Sequence, residues 1–307
     1  MIDILLSTYN GSRFIEAFIQ SLAQQTYQDF RIVWRDDMSS DNTAELLTNA
    51  CQRNRIPLTI IESGKNLGVV RSFSTLLDHV QSDYACFADQ DDIWLENKLE
   101  RMLTVLQQLE GQRGKDTPLL LHSDLIVCDS ALNVITPSLW NYQNISPERN
   151  GLRDLLVQNS VTGCATMFNR KMAEFSRDIP EQAICHDWFM ALAASISDSV
   201  YFLPDPLIQY RQHGNNCIAA KKYGFRNWIH HLFSGRSALR KRIRATQLQA
   251  AAFAEKYQGI LTEEQYALAK QWSTLPELPY AARLRFIRKN ALRKNSFLRN
   301  LGFYWSV

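Results

Sequence analysis

An α/β fold on a mostly parallel sheet is what this sequence predicts, and three observations predict it. Short apolar runs alternate with segments of helical periodicity through the first third of the chain. Polar loops follow three successive strand segments at their carboxyl ends, the edge where open α/β sheets bind ligands. The N-terminal MIDILLSTYN lacks the basic flank and cleavage site of a signal peptide and reads as a buried first strand.

The elements follow in order. Ile2–Ser7 is a strand, Thr8–Ser12 a turn, and Phe14, Phe18, Ile19 and Leu22 mark one face of a helix. Arg31–Trp34 is a second strand ending in the loop DDMSSDNT, where Asp41 is placed to cap the next helix with Glu45 in its first turn. Leu58–Ile61 is a third strand, followed by a turn over residues 64–68 and a helix over Val70–Val80. Tyr84–Phe87 is a fourth strand, met at once by Asp89-Gln90-Asp91-Asp92. Further on, Leu119–Leu121, Ile126–Cys128 and Val161–Phe168 read as strands and Trp188–Ala194 as a helix; helical patterns dominate from about residue 224.

A chain of 307 residues can bury a full core, and 46% hydrophobic with 21% charged residues is ordinary for a globular protein. No uninterrupted apolar run reaches the ~18 residues of a membrane-spanning helix. The six cysteines (Cys51, Cys86, Cys128, Cys164, Cys185, Cys217) form no CxxC pair, so reduced thiols in a cytoplasmic protein are expected rather than a disulfide framework or a zinc site. The net charge of +3 conceals a division: residues 1–220 carry 17 Lys or Arg against 27 Asp or Glu, residues 221–307 carry 17 against 4. Such segregation implies an anionic partner for the tail, a membrane surface or a nucleic acid.

Three carboxylates within four residues, at Asp89, Asp91 and Asp92, repel one another unless a cation or donors are present. Oxygen ligands on a turn suit Mg²⁺ or Mn²⁺, which keep waters and bind a substrate diphosphate. The plain alternative is a solvated turn capping a helix over Ile93–Leu109. Asp36, with Ser39 and Ser40 beside it, ends the second strand where a carboxylate can accept the imide N–H of a uracil or thymine; a polar loop with a helix cap is again the alternative.

LLSTYNGSRFIEAFIQSLAQQTYQDFRIVWRDDMSSDNT resembles the opening of a family 2 glycosyltransferase of the GT-A (Rossmann-like) fold. GKNLGVVRSFSTLL, YACFADQDDIWLENKL, TGCATMFNRK, ICHDWFM and YRQHGNN follow in the expected order, so the resemblance covers roughly residues 1–216. The DQDD-I-W form resembles bacterial rhamnosyltransferase-like members of surface-polysaccharide synthesis. The resemblance implies a catalytic domain over 1–220, with a nucleotide-binding half to about 110 and an acceptor half over 111–220, and a basic helical region over 221–307. It implies that Thr8, Tyr9 and Asn10 line the nucleotide, Asp36 reads the base, and Asn66 and Arg71 complete the base and phosphate pocket. It implies metal ligation by Asp91 with Asp89 and His213, ribose contact by Asp89, and a catalytic base at Asp187. The implied activity is inverting, metal-dependent transfer from a nucleotide sugar, dTDP-rhamnose or a UDP-hexose, to a glycan or lipid-linked acceptor. Cys164 is expected to pack as a small hydrophobe.

Seven Lys or Arg and no acid lie between Arg283 and Arg299, with Leu284, Ile287, Ala291 and Leu298 near one helical face, as in an amphipathic helix on an anionic leaflet. Trp228–Phe233 offers a second contact of the same kind. The expected location is cytoplasmic and peripheral to the inner face of the membrane. A nucleic-acid-binding protein would explain the tail but not the acidic loops, which repel phosphates. A sugar-phosphate nucleotidyltransferase would carry a Gly-rich basic loop where Leu6–Ser12 has one glycine and no lysine, and a dehydrogenase would need GxGxxG after the first strand.

Overall fold

The structure is a computed structural model and describes residues 1–214 and 236–307. Its strands are β1 (Ile2–Thr8), β2 (Phe30–Asp36), β3 (Leu58–Ile60), β4 (Tyr84–Ala88), β5 (Ile93–Trp94), β6 (Leu120–Cys128), β7 (Val134–Thr136), β8 (Thr166–Asn169) and β9 (Val200–Arg211). The first helices are α1 (Ile15–Ala23), α2 (Thr43–Asn54), α3 (Gly68–Leu77) and α4 (Lys98–Arg113). The short α5 (Leu139–Gln143), α6 (Leu152–Leu155) and α7 (Arg170–Phe175) precede α8 (His186–Ala194). The C-terminal helices are α9 (Arg236–Lys256), α10 (Glu263–Thr274), α11 (Tyr280–Lys289) and α12 (Phe297–Ser306).

Among the described residues the strands form one sheet in the order β3-β2-β1-β4-β8-β6-β9-β5, with β7 on β6. The first four pair in parallel, as their helical crossovers require. The second half is mixed: β8 runs antiparallel between β4 and β6, β9 returns parallel to β6, and β5 closes the edge antiparallel to β9. Both faces are covered, which is why β1 reads as a nearly unbroken apolar run. Successive side chains point to opposite sides: Ile2, Ile4 and Leu6 join α1, α2 and α4 in one core, and Leu5 joins α3 and α8 in the other.

Three local expectations need correction. The two strands anticipated at 119–121 and 126–128 are one strand, β6, kept continuous by its pairing with β9 through two register shifts. The strand anticipated over Val161–Phe168 is a 3₁₀ turn at Gly163–Ala165 followed by β8, because the Gly163 N–H is turned toward the Asp187 carboxylate. The helix anticipated from Ile93 starts at Lys98; Ile93 and Trp94 pair with Gln209 and Ile208 instead. Asp92 is therefore not a helix cap.

The C-terminal helices share the core of α3 and α8: Phe253, Tyr257, Trp272 and Phe303 pack in the same cluster as Phe189 and Leu192. The single amphipathic helix anticipated around Arg283–Arg299 is broken at Ala291, which takes a left-handed φ of 52°, and Ile287 faces the core. The Trp228–Phe233 contact, Cys217 and the boundary at 220/221 lie outside the described residues. Among the described residues no helix is long and apolar enough to cross a membrane.

Candidate active site

The first wall is the carboxyl edge of β1 and β2. Asp36 accepts the Thr8 hydroxyl at 2.7 Å, the Ser39 hydroxyl at 2.6 Å and the Ser39 N–H at 2.8 Å. A carboxylate has about four acceptor sites, so three donors orient it and leave capacity for one more N–H. Trp34 donates its indole N–H to Thr8 Oγ1, so the Thr8 hydroxyl proton is directed at Asp36. Asn10 sits at a left-handed φ of 48° and locks the two loops together, its N–H on Ser39 Oγ and its Oδ1 accepting from Ser40 N–H. Tyr9 presents an exposed ring, while its backbone N–H and C=O clamp the Gln90 amide at 3.0 Å each. That clamp requires Gly11, since a Cβ there would lie 2.2 Å from Gln90 Oε1.

Behind this wall, burial pushes the Asp37 carboxyl up, but the Leu67 N–H, the Arg35 guanidinium and the Gly68 N–H together hold it below the usual carboxylate range. The Asn66 amide donates to the Asp37 carbonyl, so it braces this loop. Arg71 is half exposed and its guanidinium is turned to Glu181.

The second wall is the acidic turn after β4. Asp91 meets His213 Nε2 at 2.7 Å, and the His213 ring stacks on Phe14 with centroids 4.7 Å apart. Asp92 is fully buried; its Oδ1 accepts the Arg211 N–H at 3.1 Å, and its Oδ2 has no hydrogen-bond partner among the described residues. Arg211 also donates to the Asp91 carbonyl, fixing the turn from the end of β9. Oxygens of Asp89 and Asp92 and the Cys164 sulfur lie within 4.8 Å of one another. Burial and the charges of Asp91 and Asp187 push the Asp89 carboxyl well above the usual range. Beneath the cluster lies Lys98, fully buried, its ammonium 3.1 Å from the centre of the Trp94 ring and drawn down to about 8 by burial. Clustered, mutually repelling carboxylates with a buried orphaned oxygen and a nearby imidazole are a donor set that fits a hard divalent cation.

Asp187 stands at the start of α8, buried. Its Oδ2 accepts the Gly163 N–H at 2.8 Å, and its Oδ1 accepts the Trp188 N–H at 2.6 Å and the Asn159 amide at 3.4 Å. Burial raises its pKa to about 6 against the pull of those donors. His186 beside it is held neutral by burial, stacked on Phe73 at 3.9 Å and edge-on to Phe87 at 4.6 Å. The Trp188 indole N–H goes to the Leu155 carbonyl, so this ring is packed rather than presented.

Sequence reasoning named Asp92 only as one member of the acidic turn, and it missed Lys98, Arg211 and Asn159. Asp92 carried a signal, since it adjoins DQD, but its burial depends on β5 and β9 meeting. Lys98 carried none, as a lysine at a helix start normally reads as solvated. Cys164 packs as expected, and in addition it touches the acidic cluster.

Residues 3–112 match the family described as Glycosyl transferase family 2. The chain is 29% identical over 233 residues to dTDP-rhamnosyl transferase RfbG of Shigella flexneri, a stretch covering 70% of this chain and 74% of that one. It is 33% identical over 106 residues to UDP-Glc:alpha-D-GlcNAc-diphosphoundecaprenol beta-1,3-glucosyltransferase WfgD of Escherichia coli, covering 34% and 41% of the two chains. Among solved structures, S. aureus TarS 1-349 in complex with UDP-GlcNAc superposes with a TM-score of 0.56 at 14% identity, covering 95% of this chain and 88% of that one. The mannosyltransferase PcManGT of Pyrobaculum calidifontis, in complex with GDP-Man and Mn2+, does so with a TM-score of 0.56 at 17% identity, covering 99% and 82%. Residues 3–112 thus match a glycosyl transferase family 2 domain, and the chain has the fold of these GT-A structures.

Proposed function

We propose that the chain is an inverting glycosyltransferase that moves a sugar from a nucleoside-diphosphate donor to a glycan or lipid-linked acceptor in bacterial surface-polysaccharide synthesis. The observation that carries this reading is the convergence of Asp36, the Asp89–Asp92 turn and a buried Asp187 whose pKa is about 6. The donor is dTDP-rhamnose or a UDP-hexose: both bases carry an imide N–H for the spare lone pair of Asp36, and the names of RfbG and WfgD support these two classes. The catalytic unit is residues 1–220, and the described helices over 236–307 pack upon it.

Asp91, Asp89 and His213 are the proposed ligands for Mg²⁺ or Mn²⁺. When bound, the ion supplies positive charge that stabilises the departing diphosphate. The protein residues do the rest. Thr8, Tyr9, Asn10 and Asp36 hold the nucleoside, and Asn66 keeps the loop behind them in place. Arg71 is proposed to exchange Glu181 for a donor phosphate. Asp187 removes the acceptor hydroxyl proton as the new O–C1 bond forms and the C1–O bond to the diphosphate breaks, the leaving group taking the electron pair. Its three donors orient the carboxylate, and its raised pKa makes it a stronger base than an exposed Asp while leaving it mostly ionised at pH 7.

The test is release of nucleoside diphosphate from a panel of UDP-, dTDP- and GDP-sugars with and without Mn²⁺, followed by NMR of the product's anomeric centre. Metal-stimulated turnover with inverted configuration is expected; a retained configuration would refute the single-displacement reading.

A further inference from the structure

The basic C-terminal region is folded onto the body through its backbone, and this leaves one apolar stripe outside. Arg149 donates to the carbonyls of Arg293 and Lys294, the Asn295 N–H donates to Gln158 Oε1, and Arg299 donates to the carbonyls of Gln143 and Asn144. The Asn300 side chain ties the loop to α12, accepting the Lys294 N–H at 2.7 Å and donating to the Lys294 and Ser296 carbonyls. On α12, Gly302, Phe303 and Ser306 face the core. The opposite arc carries Phe297, Leu301 and Trp305 at four-residue spacing, 75%, 42% and 41% exposed.

The chain segments flanking that stripe are cationic. Arg285, Arg288, Lys289 and Arg293 are exposed, and no acid occurs from residue 278 to the last residue given. α9 starts against α12, Leu239 lying 3.7 Å from a Cβ built on Gly302, and it adds exposed Arg240 and Arg242. Burial first, and then the charges of Arg299 and Arg242, draw the Lys294 ammonium down to about 8. An exposed aromatic and aliphatic arc flanked in the chain by lysine and arginine is the chemistry of a helix lying in the headgroup layer of an anionic leaflet. A second copy of this chain would bring the same positive field to meet itself.

We propose that α12 is the membrane-docking element of this protein, inserting Phe297 and Leu301 into an anionic lipid surface while the α9 and α11 cations engage headgroups. The proposal draws on the functional reading above only for its use: Gln158, which receives the Asn295 N–H, adjoins Asn159, whose amide reaches Asp187. A lipid-linked acceptor held at that surface would thus be met on the side of the chain that carries the base.

The experiment is co-sedimentation of the full chain, without donor or metal, with phosphatidylcholine vesicles and with vesicles containing about 30% phosphatidylglycerol at about 0.15 M salt. The unaltered chain is expected to bind the anionic vesicles at least about tenfold more tightly than the neutral ones. Phe297→Ser with Leu301→Ser should lower that binding about tenfold or more, with circular dichroism and melting unchanged because both residues are exposed. Arg285→Gln with Arg288→Gln should reduce the preference for anionic lipid. Equal vesicle binding by the Phe297/Leu301 variant overturns the proposal, as does a dimer in sedimentation velocity that this variant disperses. A chain that binds vesicles but transfers no sugar defeats the glycosyltransferase reading and leaves this one standing.

Discussion

Replacing Asp187 by Asn should abolish the base while sparing the fold, and the structure supplies both magnitudes. Asp187 accepts three donors, and an amide keeps one acceptor oxygen while turning an N–H₂ toward the donors left over. Leaving one buried N–H unsatisfied costs about 1–3 kcal/mol. Against this, a carboxyl raised from 3.8 to about 6 destabilises the folded state at pH 7 by about 3 kcal/mol, because the folded protein holds that proton more tightly than the unfolded chain. That penalty is absent below the unfolded value and grows as pH rises toward 6; Asn removes it. The two effects nearly offset, so Asp187→Asn should melt within about 2 kcal/mol of the parent. Activity should fall about 10²–10⁴-fold, the usual contribution of a positioned base. In the unaltered protein, the Asp187 carboxylate is about 90% ionised at pH 7, half at 6 and about 10% at 5, so kcat/KM for the acceptor should decline with unit slope below pH 6. Nucleoside-diphosphate release measured from pH 4.5 to about 8, alongside thermal melts, checks both parts. If Asp187→Asn keeps more than about a third of the rate, or keeps the same acid limb, another group is the base.

Neighbouring carboxylates should separate by phenotype: Asp91→Ala is expected to eliminate metal-stimulated turnover, whereas Asp92→Ala should cost about 1–3 kcal/mol of stability by orphaning the Arg211 N–H. The reverse pattern in metal titrations and melts would show that Asp92 holds the ion. Gly163→Ala puts a Cβ 2.9 Å from His186 Nε2 and 3.4 Å from the Asp187 Cβ; displacing the base should lower kcat at least about tenfold with little change in donor KM, and an unchanged kcat would sink the positioning argument. Trp272→Ala empties part of the core shared with α8 and should destabilise by about 3–5 kcal/mol in a single transition; two separate transitions would make the C-terminal helices an independent unit.

The sequence by itself determined the elements whose signals are local. The largely apolar Ile2–Leu6, interrupted by Asp3, the alternation with helices and the polar loops at strand ends sufficed for the parallel half of the sheet, because crossovers leave little choice of direction there. Asp36, which closes β2, and Asp89 and Asp91, which follow β4, could be nominated from the sequence for the same reason. Only tertiary structure decided the rest. A two-residue strand such as Ile93–Trp94 has no periodicity of its own and exists because β9 pairs with it; that pairing buries Asp92 and moves the helix start to Lys98. Asp187 was named through the resemblance alone, and its pKa near 6 arises from burial in the folded core, which the Gly163 N–H, 24 residues away, opposes. The basic tail showed its charge in the sequence, but not which apolar residues face outward. A left-handed residue at Ala291 divides it into two helices, sending Ile287 into the core and leaving Phe297 and Leu301 outside. Charge and periodicity are properties of a segment, whereas burial and exposure belong to the partners a segment finds.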